Sequence, residues 1–247
     1  MTGPVIELFP QVALLLVAAL AASTVAAVAG FGGAAILLPI LVALFGPRDA
    51  IPILAVAGLV SNGSRVALNR DAISWPIVGW FALGGIPAAL IGGFLFATAP
   101  LEALTRLIGA FLLASVAWRH LRPRPFGVLG PRTFTAIGAV FAFASALVGS
   151  IGPIMAPFFL AAGLVKSAYI GTEAAASVVM QVAKLVAYGI AAILTPFMGA
   201  VGLIMVPAML AGSWIGKRIV DRMSERIFVT VIEVVLTVTG VLFLMGG

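Results

Sequence analysis

Apolar runs follow one another through almost the whole of this chain with little polar sequence between them, and that succession limits the fold more than any motif does. Ten such runs lie near residues 10–28, 34–46, 51–68, 75–97 and 103–119, then 132–148, 153–164, 168–193, 197–216 and 227–245. A helix needs about 20 apolar residues to cross the hydrocarbon core of a bilayer. Most runs are close to that length, while 34–46 and 153–164 are too short to cross alone. Backbone in lipid must satisfy its own hydrogen bonds, so runs of this kind form helices. The expected fold is therefore an all-α polytopic membrane protein. With 9% charged residues, 63% hydrophobic residues and a mean hydropathy of +1.25, no stretch has the make-up of a soluble domain. The N-terminus carries only Glu7 where a secretion signal would carry basic residues, so 9–28 is expected to be a retained membrane segment.

Two places interrupt the apolar sequence. The first is Gly30-Phe31-Gly32-Gly33, leading into Pro39. Each glycine costs roughly 1 kcal/mol against alanine inside a helix, so one helix should end there and another begin near Ala34. Irregular backbone at membrane depth persists only when protein buries it or when it lines a wet cavity. Glycine lets backbone amides approach a bound group, and the new helix turns its positive end toward the gap. The break is thus a candidate anion site, with a tight helix crossing on small residues as the alternative. The second interruption, Gly149-Ser150-Ile151-Gly152-Pro153 before Pro157, has fewer glycines and an added proline. The short runs 34–46 and 153–164 each follow a break, as limbs of re-entrant hairpins or as short tilted spans.

The second five runs repeat the first five. Pro39 and Pro157 are 118 residues apart, Asn62 and Gln181 as well as Arg65 and Lys184 are 119 apart, and Pro87/Pro207, Gly92/Gly212 and Arg106/Arg226 are 120 apart. A proline, an amide and a cation recurring in order at an offset that drifts by only two mark a duplication. The chain divides accordingly into a first membrane repeat at 1–120, a basic connection at 121–131 and a second membrane repeat at 132–247. An odd number of crossings per half inverts the second repeat relative to the first. Arg70, the connection from Arg119 to Arg132, Lys166 and the Lys217–Arg222 stretch fall on one side, and Arg48 and Arg106 on the other. The positive-inside rule then makes the first side cytoplasmic, with both termini outside. Inverted repeats with paired broken helices are a recurring plan of secondary transporters.

The net charge of +6 and pI near 10.8 do not indicate nucleic acid, because the basic residues sit mostly between spans, where topology explains them. There is no cysteine, and the single histidine, His120, lies in the basic connection. No HExxH-type metal spacing, paired-aspartate motif or intramembrane histidine is present, so neither an enzyme, a metal site nor a cofactor is expected.

Ionisable and amide groups inside spans are costly and hence candidate functional groups. Asn62 and Gln181 lie mid-segment, each followed three residues later by a cation, Arg65 or Lys184, on the same helix face. An amide with a cation suits an oxyanion, since the amide N–H donates and arginine can grip two oxygens. The alternatives are snorkelling of the cations to the interface and an interhelical hydrogen bond for the amides. Glu173 precedes Lys184 by eleven residues, about three turns, on the same face. It is a candidate to carry a coupled proton or to pair with a cation on a neighbouring helix; the alternative is an interfacial carboxylate. Glu233 carries the same ambiguity, while Arg106 and Arg226 mark segment starts.

The glycine-rich break Gly30 to Gly33 leading into Pro39, its copy from Gly149 to Pro157, the duplicated layout and the Ala211-Gly212-Ser213 run after Pro207 resemble the sulfite exporter TauE/SafE family of membrane permeases. The resemblance covers essentially the whole chain. It implies an inner-membrane permease that moves sulfur-containing anions such as sulfite, sulfonates or sulfoacetate, often outward. With the residue chemistry, it leads to an expected substrate site built from Gly30, Phe31, Gly32, Gly33, Asn62, Arg65, Gly149, Ser150, Gly152, Gln181 and Lys184, with Glu173 as a coupling group. A small anion and the bilayer are the expected partners, with a proton or sodium as the coupling ion and oligomerisation open. A passive anion channel and a non-transporting assembly protein are the rival classes.

Overall fold

The computed structural model describes residues 3–29, 33–100, 128–149 and 151–224, together with Ile227 and Thr230. The expected segments 103–119 and 227–245, His120, Glu233, Arg106, Arg226 and most of the basic connection lie outside these residues. So do Gly30, Phe31, Gly32 and Ser150.

The described chain forms helices α1 (Gly3–Ala29), α2 (Gly33–Leu68), α3 (Trp75–Thr98), α4 (Phe134–Val148), α5 (Gly152–Ala161), α6 (Lys166–Ile190), α7 (Pro196–Ile204) and α8 (Val206–Arg222). Five are long and apolar enough to cross a membrane, or six spans if α7 and α8 count as one bent span. The chain is thus a polytopic membrane protein. Exposed leucine, isoleucine, valine and tryptophan side chains cover its outside, for example Leu83, Ile91, Val140 and Ile190, and a surface that apolar belongs in hydrocarbon.

Two differences from the sequence expectation have local causes. The run 197–216 is not a single helix, because the chain bends by 42° between α7 and α8, just ahead of Pro207. Conversely, 34–46 and 51–68 run together as α2, but Gly46 interrupts its helical backbone at φ 77°, ψ 162°. Only glycine reaches that region without strain, so α2 has two limbs, 33–45 and 47–68.

Contacts between helix ends define two faces. On one face, the Ser74 amide donates to Thr172 Oγ1 (2.9 Å) and Lys217 Nζ donates to Ser167 Oγ (3.1 Å), which brings together the end of α2, the starts of α3 and α6 and the end of α8. On the opposite face, Arg48 Nη2 donates to the Ala97 carbonyl (2.7 Å) and Phe45 meets Phe197 edge-on, which joins the Gly46 bend to the end of α3 and the start of α7. The amide of Leu129 donates to the Ala161 carbonyl at 3.1 Å, so α4 begins where α5 finishes. Pro131–Val148, which ends in α4, is one of the five long stretches, whereas α5, with 10 residues, is about 15 Å long, half of the roughly 30 Å core. α4 and α5 form a hairpin that enters from the first face and returns to it. The first limb of α2 runs to the Gly46 bend on the other face, so α1 and this limb open toward that face.

Glycine seams fix the pairing of the helices. A Cβ on Gly92 of α3 would stand 2.8 Å from the Phe143 carbonyl oxygen of α4, and one on Gly212 of α8 would overlap Ser23 Oγ of α1. The same 120-residue offset relates Gly92 to Gly212 and Ser23 to Phe143. Each half therefore packs its entry helix against a helix of the other half, through matching positions. Phe81, Phe96, Phe134, Phe159, Tyr169 and Tyr188 are fully buried and meet ring to ring where α3 and α4 pack with α5 and α6.

Candidate functional site

A cavity of about 70 Å³ is lined by residues from both the N-terminal and the C-terminal part of the chain. A water needs roughly 10–15 Å³ of such space, so a handful of water-sized groups, or one small oxyanion, fills it. Gly33, which opens α2, borders it from one half, and Gly149 and Gly152, flanking the α4–α5 turn, border it from the other. Asn62 and Arg65 of α2 and Glu173, Ser177 and Gln181 of α6 close the sides. Seven of the expected residues, Gly33, Asn62, Arg65, Gly149, Gly152, Glu173 and Gln181, thus surround one space despite lying up to 148 positions apart.

The glycines have distinct reasons to be there. Gly149 has φ +86°, a conformation that ends α4 and that L side chains rarely adopt. Gly33 lies against α1, where a Cβ would stand 2.8 Å from the Ala22 carbonyl oxygen and 3.2 Å from Ala26 Cβ. The close crossing weighed from the sequence is therefore real at Gly33, which also borders the cavity. In the first turn of α5, Pro153 has no N–H, and the amides of Ile154 and Met155 already donate to the Ile151 carbonyl at 3.0 and 3.2 Å. That turn is poor in free amides.

Both intramembrane cations are buried rather than snorkelling, with Arg65 4% and Lys184 0% exposed. Arg65 Nη1 donates to Glu173 Oε2 and to the Ala26 carbonyl, both at 3.2 Å, and Nη2 donates to Asn62 Oδ1. Glu173, 2% exposed, also accepts from Ser177 Oγ at 2.9 Å. It is no interfacial carboxylate; its partner is the cation of a neighbouring helix. Lys184 Nζ donates to Ser145 Oγ (3.1 Å), the Gly149 carbonyl (3.4 Å) and the Ser145 carbonyl (3.5 Å), three acceptors for the three protons of an ammonium. It stands behind the α4–α5 turn and does not border the cavity.

The two cations do matching work in the two halves. Arg65 reaches the Ala26 carbonyl near the end of α1, and Lys184 reaches the Ser145 carbonyl near the end of α4. The offset of 119 relates Ala26 to Ser145 as it relates Arg65 to Lys184. Each cation meets the negative, C-terminal end of the helix it reaches. The halves differ in their acids. Position 54, the counterpart of Glu173, is leucine, so among the described residues only Arg65 has a buried carboxylate partner.

The amides also behave differently. Asn62 is engaged with Arg65, whereas Gln181 Oε1 is buried and has no hydrogen-bond partner among the described residues. The Gln181 amide rests against Gly58, the absence of a side chain there making room for it. Four serines that sequence reasoning passed over border the cavity: Ser23, Ser61, Ser145 and Ser177. Ser23 donates to the Ala19 carbonyl (2.8 Å) and Ser177 to Glu173, so Ser61 and Ser145 are the hydroxyls left to face a guest. Serine in an Ala-rich helix carries no positional signal, which is why only the fold singles these out.

The sulfite exporter TauE/SafE family model matches residues 14–243. The chain belongs to that family. It is a membrane permease of a transporter family, and the cavity lined by Gly33, Asn62, Arg65, Gly149 and Gln181 is a polar space inside this TauE/SafE permease. No curated protein and no solved structure matches the chain.

Proposed function

We propose that this TauE/SafE permease carries small sulfur-containing oxyanions, such as sulfite or organosulfonates, by alternating access to the cavity between its two breaks. The observation that supports it is the meeting of Gly33, Gly149 and Gly152 with Asn62, Arg65 and Gln181 around one buried space. An oxyanion there would take hydrogen bonds from the Gln181 amide, from Ser61 and Ser145, from Asn62 and from the amides near Gly30 to Gly33 and Ser150, with Phe31 alongside. Arg65 supplies positive charge, Lys184 holds the second break in place and adds a more distant charge, and Glu173 serves as the coupling group. The two halves are read as inverted copies that rock against each other, in keeping with hairpins that open on opposite faces. Arg70, Arg132, Lys166, Lys217, Arg218 and Arg222 gather on one face, which is assigned to the cytoplasm of an inner-membrane protein with both termini outside.

Flux measurements test the assignment. In proteoliposomes, Asn62→Ala and Gln181→Ala should each lower sulfite or methanesulfonate uptake about tenfold or more, the loss of one charge-assisted hydrogen bond, while wild-type uptake saturates and shows counterflow. Near-normal flux in both variants rejects the site, and wild-type flux that rises linearly with concentration favours a passive channel instead.

A further inference from the structure

Arg65 is the charged donor bordering the cavity, and it is already occupied. Its Nη1 is shared between Glu173 and the Ala26 carbonyl, and its Nη2 is held by Asn62. Glu173 borders the same cavity, so an entering oxyanion meets a group of its own charge and acceptor chemistry on the donor it needs. Two negative charges confined in a site with little water repel strongly, and such pairs resolve when one takes a proton.

We propose that Glu173 is a tethered rival of the transported anion for Arg65, so that each anion seated in the cavity is accompanied by one proton taken up on the Glu173 carboxylate. This rests on the oxyanion site proposed above. The exchange balances: a proton from the water on the open side converts the carboxylate to a carboxylic acid, the guanidinium passes to the anion, and a monovalent guest leaves the net charge unchanged. The neutral acid gains an O–H donor that Ser177 Oγ or the anion itself can accept.

The surroundings of Glu173 offer no other candidate among the described residues. α2 presents Arg65, α6 itself presents Ser177 and, one turn earlier, buried Tyr169, and α1 presents Ser23 and the Ala26 carbonyl. The described parts of α3, α4, α5 and α7 contain no charged residue. On α8, Lys217 is held by Ser167 and Asp221. On α6, Lys184 lies three turns away, engaged with Ser145 and Gly149. Because the counterpart of Glu173 is Leu54, the device occurs in one half only, giving one proton per anion.

Proton counting on anion binding tests this with the full-length protein in detergent micelles. Thiosulfate and methanesulfonate, which stay ionised near neutrality, are titrated into lightly buffered protein with a pH indicator, with sulfite as a third probe. Wild type should take up about one proton per anion, and its apparent affinity should fall by up to about tenfold per unit rise in pH. An infrared difference spectrum should gain the C=O stretch of a buried carboxylic acid. In Glu173→Gln the proton uptake and the new band should vanish and the anion should bind more tightly. Should that variant fail to fold, the wild-type proton count and infrared band still decide. Binding without proton uptake, binding that needs sodium instead, or uptake that survives in Glu173→Gln overturns the role of Glu173 alone. Failure of all three probes to bind overturns the oxyanion site as well.

Discussion

The pair formed by Arg65 and Glu173 makes a quantitative demand on stability. Their side chains are 5% and 3% exposed and 3.2 Å apart, so neither has bulk water to fall back on. Breaking a buried pair by removing one partner costs about 3–5 kcal/mol, because a charge is stranded, while replacing both partners with apolar groups of similar volume is often close to neutral. Glu173→Gln leaves the guanidinium facing neutral acceptors, the Ala26 carbonyl and Asn62 Oδ1 among them. Arg65→Met leaves the carboxylate with Ser177 alone among the neutral donors described. Each single variant should therefore lose about 3–5 kcal/mol, and the double variant should lose less than the sum by about 3 kcal/mol. Reversible unfolding in mixed micelles, run on all four proteins without added anion, gives the coupling energy. A coupling below about 0.5 kcal/mol, the value for independent sites, would refute the pair as a mutually dependent buried unit.

Two other perturbations separate packing from charge. Gly212→Ala places a methyl against Ser23 Oγ and 2.5 Å from the Leu20 carbonyl oxygen, whereas a Cβ at Gly79 meets nothing within 4 Å; the first should destabilise by about 1–3 kcal/mol and the second should hold or slightly raise the melting temperature. Lys184→Met removes the ammonium from the Gly149 carbonyl and leaves the Ser145 carbonyl to the Gly149 amide alone, so peptides covering the α4–α5 turn should exchange amide hydrogens faster while those of α3 do not. Unchanged exchange there would show that the lysine does not hold the turn.

Hydropathy places the spans because lipid leaves a polar backbone no partner but itself, a constraint that acts locally and is visible in any window of about 20 residues. The family likeness was legible for a related reason, since glycines and prolines mark where a helix cannot continue. The expected pairing of Asn62 with Gln181 and of Arg65 with Lys184 rests on sequence offsets alone. The sequence left open whether 153–164 crosses or returns, and the Leu129–Ala161 hydrogen bond answers it. It also left open whether the cations snorkel, since a position near a helix end says nothing about which neighbour covers it.

What the sequence determined by itself was the class of the protein, its breaks and its list of costly polar groups, all properties of single segments in a known solvent. Only the tertiary structure decided which of those groups meet. The Arg65–Glu173 pair joins residues 108 apart, Lys184 turns away behind the second break, and Ser61 and Ser145 reach the cavity unannounced. These outcomes depend on which helix faces approach one another, and packing of small residues across α1–α8 and α3–α4, not any local propensity, sets that approach.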